Sequence, residues 1–137
     1  LITYELLASQ GAAAGLPAES ISKVSDVRDQ GLAAYALAHR LGLKVAFGTD
    51  LLAQMESAQP HEFALRAQVA KAADILREAT CAGAELLGLR GRVGTLQPGA
   101  DADLVIVDGN PLEDITLLAR PEQSVRHVIQ RGRVVDM

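Results

Sequence analysis

The sequence predicts an α/β fold, and three features of the 137-residue chain support this prediction. An amphipathic segment over residues 25–41 is followed, after one glycine, by the apolar run 43–47. Such near-continuous apolar runs are typical of buried parallel strands, which helical crossovers connect. After residue 91 the pattern changes to short segments rich in β-branched residues and separated by turn residues, which is typical of antiparallel strands.

The first two helices are predicted from their apolar spacing and their terminal residues. A short helix is expected over residues 4–14, ended by Gly15, and Pro17 suits a restart of the helical pattern. In the segment 25–41, apolar residues recur every three or four positions, and Gly42 follows as a left-handed cap. We therefore expect a crossover helix that leads directly into the strand.

Further helical signals follow the predicted strand. Residues 51–59 are predicted to form a loop, and Pro60 to begin a helix, because its missing N–H costs nothing at the first position. The apolar stripe over residues 72–87 predicts another helix, which a break near Thr80 would divide into two, and Gly88 ends it.

The last third of the chain is expected to form antiparallel strands. Pro98-Gly99 suits a tight turn with positive φ at the glycine, and Arg131-Gly132 suits the turn of a terminal hairpin. The predicted strands are residues 94–95, 104–107, 125–130 and 134–135.

The composition argues against several function classes. A net charge of −4 provides no positive surface for nucleic acid or for an anionic membrane. No apolar run approaches the roughly 18 residues of a membrane span, and the first residues lack the pattern of a signal peptide. A cytoplasmic location is expected, although a chain cut from a longer protein would have lost any N-terminal signal. The single cysteine, Cys81, excludes an internal disulfide and is predicted to be a buried, inert thiol.

Asp50 is the strongest candidate for chemistry. It ends the run Val-Ala-Phe-Gly-Thr-Asp over residues 45–50, just beyond the predicted strand. In barrels and open α/β sheets the reacting groups lie where parallel strands end, so a catalytic acid, a base or a metal ligand belongs at this position. The alternative is that Thr49 and Asp50 cap a following helix, which is an ordinary role for these residue types.

Several short motifs along the chain belong together. They are Thr3-Tyr4-Glu5, Gly-Thr-Asp-Leu-Leu over 48–52, His61-Glu62-Phe63 with Arg66, the strand-turn-strand pattern over 93–108, and Asp-Gly-Asn-Pro-Leu over 108–112. In combination they resemble the metal-dependent amidohydrolase superfamily, and within it the imidazolonepropionase-related branch that contains metallo-carboxypeptidases and prolidase-like enzymes. The resemblance covers essentially the whole chain but only the C-terminal third of such an enzyme. Because the chain also opens on Leu1 without an initiator Met, we expect it to be a fragment.

The resemblance implies a fold and a division of the chain. Residues 1–90 would form the end of a (β/α)8 barrel, and residues 91–137 would belong to the small β-sandwich that flanks it. Asp50 would then follow the eighth strand, where the family places both a metal ligand and a catalytic group. In this role its carboxylate accepts a proton from a metal-activated water and returns it to the leaving amine.

The same resemblance implies a divalent metal, expected to be zinc, with one or two ions in the intact enzyme. The chain lacks the His-x-His pair and the other histidine ligands of the family. His39 is interpreted as a surface residue, His127 lies in the predicted terminal hairpin, and Asp101 and Asp103 are interpreted as turn residues. Because zinc sites normally need three or four protein ligands, no metal is expected to bind the isolated chain.

Three residues are candidates for contact with a substrate. The resemblance places Tyr4 beyond the seventh strand and His61 after the loop that follows the eighth, while Arg66 could pair with a substrate carboxylate. Simpler interpretations are a tyrosine packed under the barrel rim and a solvated i, i+4 pair between Glu62 and Arg66.

We therefore expect part of a metal-dependent hydrolase that cleaves an amide or peptide bond, in a dipeptide or an N-acyl amino acid, and that is inactive as the isolated chain. The expected partners are a small-molecule substrate and the rest of the enzyme polypeptide or another copy of the chain, in a homo-oligomer. The alternatives are a cyclic-amide hydrolase or deaminase of the same superfamily, a non-catalytic interaction module, and one subunit of a split enzyme.

Overall fold

The computed structural model describes residues 1–51 and 53–135, in which a helical part precedes a small antiparallel sheet. This order agrees with the mixed α/β class that the sequence predicts. The helical part comprises α1 (Ile2–Gln10), α2 (Ala18–Arg40), a 3₁₀ helix (Ala53–Ala58), α3 (His61–Arg66), α4 (Ala72–Arg77), a π turn (Glu78–Ala82) and α5 (Gly83–Leu86). The second part comprises β1 (Leu104–Val107), a 3₁₀ helix (Ile115–Ala119), α6 (Pro121–Ser124), β2 (Val125–Gln130) and β3 (Arg133–Val135). Among these elements there is no helix with the length and apolar character needed to span a bilayer.

The two first helices differ from the prediction at their ends. Helix α1 ends at Gln10 because the residues up to Gly15 form turns, one of which closes with the Ala14 N–H on the Gln10 carbonyl (3.1 Å). Helix α2 begins directly after Pro17 rather than at residue 25, since the extended backbone of Pro17 (ψ 147°) allows the helix to start at once. Gly42 has the predicted left-handed backbone (φ +66°) that ends α2.

The segment 43–47 is not a strand, so the prediction of a buried strand is wrong for this structure. A parallel strand needs neighbours to bond with, and the described residues place none beside it. Leu43 is consequently 60% exposed. The backbone finds other partners: the Phe47 N–H donates to the Glu78 carbonyl (3.1 Å), and the Ala46 carbonyl lies 3.4 Å from Nη1 of Arg66.

The chain after this segment is more ordered than predicted. The predicted loop 51–59 contains the 3₁₀ helix Ala53–Ala58, while Leu52 lies outside the described residues. Pro60 directly precedes α3, as predicted.

The helix predicted over residues 72–87 is not divided near Thr80: a π turn, Glu78–Ala82, joins α4 to α5, and the chain stays helical through it. The turn begins at Glu78, the residue whose carbonyl accepts the Phe47 N–H. Gly88 (φ +71°) ends α5, as predicted. Cys81 within the turn is exposed, contrary to the prediction, because none of the described elements covers this face.

The sheet has the order β1-β2-β3, with both pairs antiparallel. The predicted hairpin is confirmed, since Arg131 (φ +50°) and Gly132 (φ +76°) both adopt the positive φ values of a tight turn. Asp103 Oδ1 accepts the Arg131 N–H at 2.6 Å and so bonds to the hairpin turn. The predicted strand 94–95 is wrong, because Gly94 has a positive φ (+71°) that a strand does not allow.

The apolar core is small for a chain of this size. The solvent-accessible surface is 9059 Å², whereas a compact 14.4 kDa monomer exposes about 6,800 Å². Three charged side chains, Glu62, Arg66 and Glu78, are buried as deeply as the apolar ones. The buried apolar residues are Ile2, Tyr35, Ile75, Ala84, Ile115 and Ala119.

Candidate active site

Asp50 lies in an exposed turn with a left-handed backbone conformation (φ +53°). Asp tolerates this region better than most residues, but a non-glycine residue there still stores roughly 1–3 kcal/mol of strain. Such strain persists only where the surrounding structure imposes it, and it is concentrated at functional sites. The carboxylate of Asp50 is therefore accessible to a ligand, and contacts from neighbouring residues must stabilise the backbone conformation of Asp50.

Thr3 supplies part of that restraint. Its hydroxyl lies 2.5 Å from the Thr49 carbonyl oxygen and 3.0 Å from the Asp50 carbonyl oxygen. Thr3 belongs to the first turn of α1 and is buried. The start of α1 and the Asp50 turn, 47 residues apart in the chain, are thereby joined.

The buried ion pair between Glu62 and Arg66 holds the start of α1. Glu62 is fully buried; its Oε2 accepts the Ile2 N–H at 2.7 Å, and its Oε1 accepts from Nε of Arg66 at 2.8 Å. The guanidinium of Arg66 also lies over the ring of Phe47, 4.5 Å from its centroid. Helix α3 therefore connects both to α1 and to the segment before Asp50.

Glu78, in the π turn, connects this ion pair to α2. Its Oε2 accepts hydrogen bonds from the Tyr35 hydroxyl and from Nη1 of Arg66, both at 2.7 Å. Nε2 of His39 lies 2.7 Å from Glu78 Oε1, without the alignment of a hydrogen bond. We refer to Tyr35, His39, Glu62, Arg66 and Glu78 as the buried polar cluster.

The buried polar cluster changes the acid–base properties of two members. Burial raises the pKa of Tyr35, and its hydrogen bond to the carboxylate of Glu78 raises this pKa further. Burial acts to lower the pKa of Arg66, but hydrogen bonds to Glu78 and Glu62 outweigh it and raise the pKa overall. Both groups are thus held in their protonated forms at neutral pH.

Two interpretations from the sequence need correction. The Glu62–Arg66 pair has the predicted i, i+4 geometry, but it is buried rather than solvated, because α1, α2 and the 43–50 segment all contribute groups around it. His39 is not a surface residue: only 23% of its side chain is exposed, since it packs edge-on against Tyr35 at 4.7 Å.

The predicted site residues differ in their exposure to solvent. Tyr4 and His61 are exposed, and His127 is an exposed residue of β2. Arg66 is buried and directs its donors toward internal acceptors. Within residues 1–51 and 53–135, no three His, Cys, Asp or Glu side chains converge as a metal site would require. Asp50 is thus a candidate for one ligand of a metal site and not for a whole site.

The comparison with known protein families decides the family. The Amidohydrolase family profile matches residues 2–135, almost the entire chain. The chain belongs to the amidohydrolase family. The resemblance predicted from the sequence motifs is confirmed, including its prolidase-like character, since the structure superimposes on a prolidase complexed with N-methylphosphonate-L-proline with a TM-score of 0.89 and 42% identity.

Two curated relatives of this amidohydrolase chain have different activities. It is 32% identical over 129 residues to the ochratoxinase of Aspergillus niger, covering 93% of this chain and 26% of the relative. It is 36% identical over 114 residues to the 5-methylthioadenosine/S-adenosylhomocysteine deaminase of Syntrophobacter fumaroxidans, covering 69% and 26%. The superposition on the prolidase covers 98% of this chain and 33% of that one. The chain thus spans about a quarter to a third of the length of these relatives.

Thr3 and Glu78 are the residues that sequence reasoning missed. Thr3 belongs to a motif of the amidohydrolase resemblance, but no local pattern connects its hydroxyl to carbonyls 46 and 47 positions away. Glu78 lies within the predicted helix 72–87, whose apolar spacing assigns it no role. Its local sequence, with Arg77 directly before it, does not specify a partner.

Proposed function

We propose that this chain forms the C-terminal part of a metal-dependent amidohydrolase that cleaves an amide or peptide bond in a dipeptide or an N-acyl amino acid. The observation that carries the proposal is the exposed carboxylate of Asp50, held in a strained turn in a chain of the amidohydrolase family. The likeness to a prolidase at 42% identity favours the peptide-like substrate.

Asp50 is proposed both to hold a metal and to move a proton. A carboxylate oxygen is an accepted ligand for zinc, and the exposed side chain leaves room for ligands from other segments. When bound, the divalent ion supplies the polarisation that lowers the pKa of a water molecule towards about 7. The Asp50 carboxylate accepts the proton that this water loses on attack and then donates it to the amine nitrogen as the C–N bond breaks.

We propose that the remaining metal ligands come from outside the described residues. We propose that residues 1–90 complete a (β/α)8 barrel and that residues 91–137 belong to a flanking β-sandwich. The change from helices to antiparallel strands after α5 supports this division. The large exposed surface and the unpaired segment 43–47 support packing against the rest of the polypeptide or another copy of the chain.

Tyr4 and His61 remain the proposed contacts for substrate. Both side chains are exposed, and Tyr4 directly follows Thr3, whose hydroxyl contacts the Asp50 turn. The internal hydrogen bonds of Arg66 favour a structural role for this residue over a contact with a substrate carboxylate.

A deaminase of the same superfamily is the second candidate, because the chain is 36% identical to a nucleoside-derivative deaminase over 69% of its length. A substrate panel separates the two. An enzyme that contains this chain and its remaining ligands is incubated with an Xaa-Pro dipeptide, an N-acyl amino acid, a cyclic amide and 5-methylthioadenosine. Release of a free amino acid supports the proposal. Release of ammonia from the purine supports the deaminase, and absence of any turnover favours the non-catalytic interaction module.

A further inference from the structure

We propose that Thr3 is a positioning residue for Asp50, fixing the backbone from which the reacting carboxylate projects. This inference rests on the proposed function, because it assigns Thr3 a role in the chemistry of Asp50. It concerns a contact between α1 and the Asp50 turn that neither the family match nor the likeness to the prolidase assigns to any residue.

The position of the Thr3 hydroxyl explains how it would act. The Thr49 carbonyl belongs to the peptide unit before the Asp50 Cα, and the Asp50 carbonyl to the unit after it. The hydroxyl lies 2.5 Å from the first oxygen and 3.0 Å from the second. Restraining both peptide units restrains φ and ψ of Asp50 together, which is what a residue at φ +53° requires.

The surroundings give the turn few other restraints. The segment 43–50 has no strand partner within the described part of the chain, and its other backbone contacts involve Leu43, Ala46 and Phe47, which precede the turn. Of the side chains, only that of Thr3 reaches the Thr49 and Asp50 carbonyls among the described residues.

Thr3 is itself held rigidly enough to act as an anchor. It is 9% exposed, and the N–H of the preceding residue, Ile2, donates to Glu62 Oε2 at 2.7 Å. Glu62 is in turn fixed by Arg66 of the buried polar cluster. A displacement of the Asp50 backbone therefore has to break a contact with a buried, internally bonded group.

The test uses matched variants of the active enzyme. Thr3→Val keeps the side-chain volume but removes the hydroxyl, whereas Thr3→Ser keeps the hydroxyl. Thr80→Val is the control, since the Thr80 hydroxyl also donates to a backbone carbonyl, that of Leu76 (2.6 Å), within a helix and away from the Asp50 turn. Asp50→Asn reports whether the proposed function itself holds. For each variant kcat, KM, the melting temperature and the crystal structure without metal are determined.

We expect Thr3→Val to lower kcat by 10-fold to about 100-fold, the loss that a misplacement of about 1 Å produces, with KM changed less than about threefold. Thr3→Ser should have a kcat within about threefold of the wild type, and Thr80→Val should have the wild-type kcat. In the metal-free structures Asp50 should leave the left-handed region in Thr3→Val and keep it in Thr3→Ser.

Two results would overturn the inference. If Thr3→Val lowers only the melting temperature while its kcat and the φ of Asp50 remain those of the wild type, Thr3 is a structural residue. If Thr3→Ser fails to restore kcat, the hydroxyl is not the group responsible. A normal kcat for Asp50→Asn would instead reject the proposed function, so the two failures are distinguishable.

Discussion

The helical part of the chain buries charged residues, whereas the described residues around the small sheet keep theirs at the surface. Between α1 and α5, carboxylates and a guanidinium are buried and bonded to one another: Glu62, Arg66 and Glu78 are each at most 5% exposed. In the part that contains the sheet, the charged pairs lie at the surface, as Arg126 and Asp108 do, while Val134 is 64% exposed. The first part therefore depends on specific buried polar contacts, and the second on backbone pairing between strands.

We propose that the chemistry resides in the helical part. Buried ion pairs are costly to desolvate. In this chain the buried polar cluster contacts the segment that leads to Asp50 and, through Ile2, supports the helix that carries Thr3. The charged residues that are buried within the described part of the chain all belong to this cluster, and none of them lies in the sheet.

The largest effect on stability is expected from breaking the buried pair. Arg66→Met leaves the carboxylates of Glu62 and Glu78 buried without their cation, and removal of one partner of such a pair costs about 3–5 kcal/mol. Urea unfolding measures the change. The matched control, Arg126→Met, removes a surface partner of Asp108 and should leave the unfolding midpoint unchanged. Equal losses in the free energy of unfolding for Arg66→Met and Arg126→Met would show that the buried pair contributes no more to stability than the surface pair.

A smaller effect is expected where the two parts meet. A Cβ at Gly94 would lie 2.6 Å from the Thr80 carbonyl oxygen, so Gly94→Ala should cost about 1–3 kcal/mol from overlap, in addition to about 1–2 kcal/mol from its positive φ. At Gly99, which also has a positive φ, nothing lies within 4 Å, and Gly99→Ala should cost only the backbone contribution. Thermal unfolding of both variants tests this difference. Equal melting temperatures would show that overlap with the Thr80 carbonyl does not lower the stability of Gly94→Ala.

The smallest effect is a pH dependence from the buried polar cluster. The pKa of Tyr35 is raised in the folded state, so its stabilising contribution is complete below about pH 10, the unfolded pKa, and is lost as the pH rises above it. Tyr35→Phe, which lacks the hydrogen bond to Glu78, should be less stable than the wild type by about 1.5–3 kcal/mol at pH 8. The difference in the free energy of unfolding between Tyr35→Phe and the wild type should become smaller as the pH rises from 8 to 11. A difference that stays constant over this range would contradict the predicted titration of Tyr35.

The same comparison explains how much the sequence could predict. The hairpin follows from Arg131-Gly132 and flanking β-branched residues, and Gly42, Gly88 and Gly99 have the positive φ values predicted for caps and turns, because these signals are local. The Asp50 candidate follows from an equally local pattern. The buried polar cluster could not be predicted, because it depends on which helices meet, and the i, i+4 spacing of Glu62 and Arg66 is the same in a solvated and a buried pair.

The segment 43–47 shows a local pattern that predicted the wrong structure. Its apolar residues predict a buried strand, yet a strand exists only when neighbouring strands bond to it, and the described residues supply none. Local pattern thus identifies the residues that can form an element, while their partners decide whether it forms.

The rate of amide hydrolysis by Asp50→Asn in the active enzyme tests the central claim most directly, measured at matched metal content beside Asp108→Asn, a surface carboxylate of the sheet region. Asparagine retains the shape of the side chain but cannot accept the proton. We predict that kcat falls by about 10² to 10⁴ in Asp50→Asn with an unchanged melting temperature, and that Asp108→Asn retains the wild-type kcat. A kcat of Asp50→Asn within about threefold of the wild type would contradict the assignment of the chemistry to Asp50.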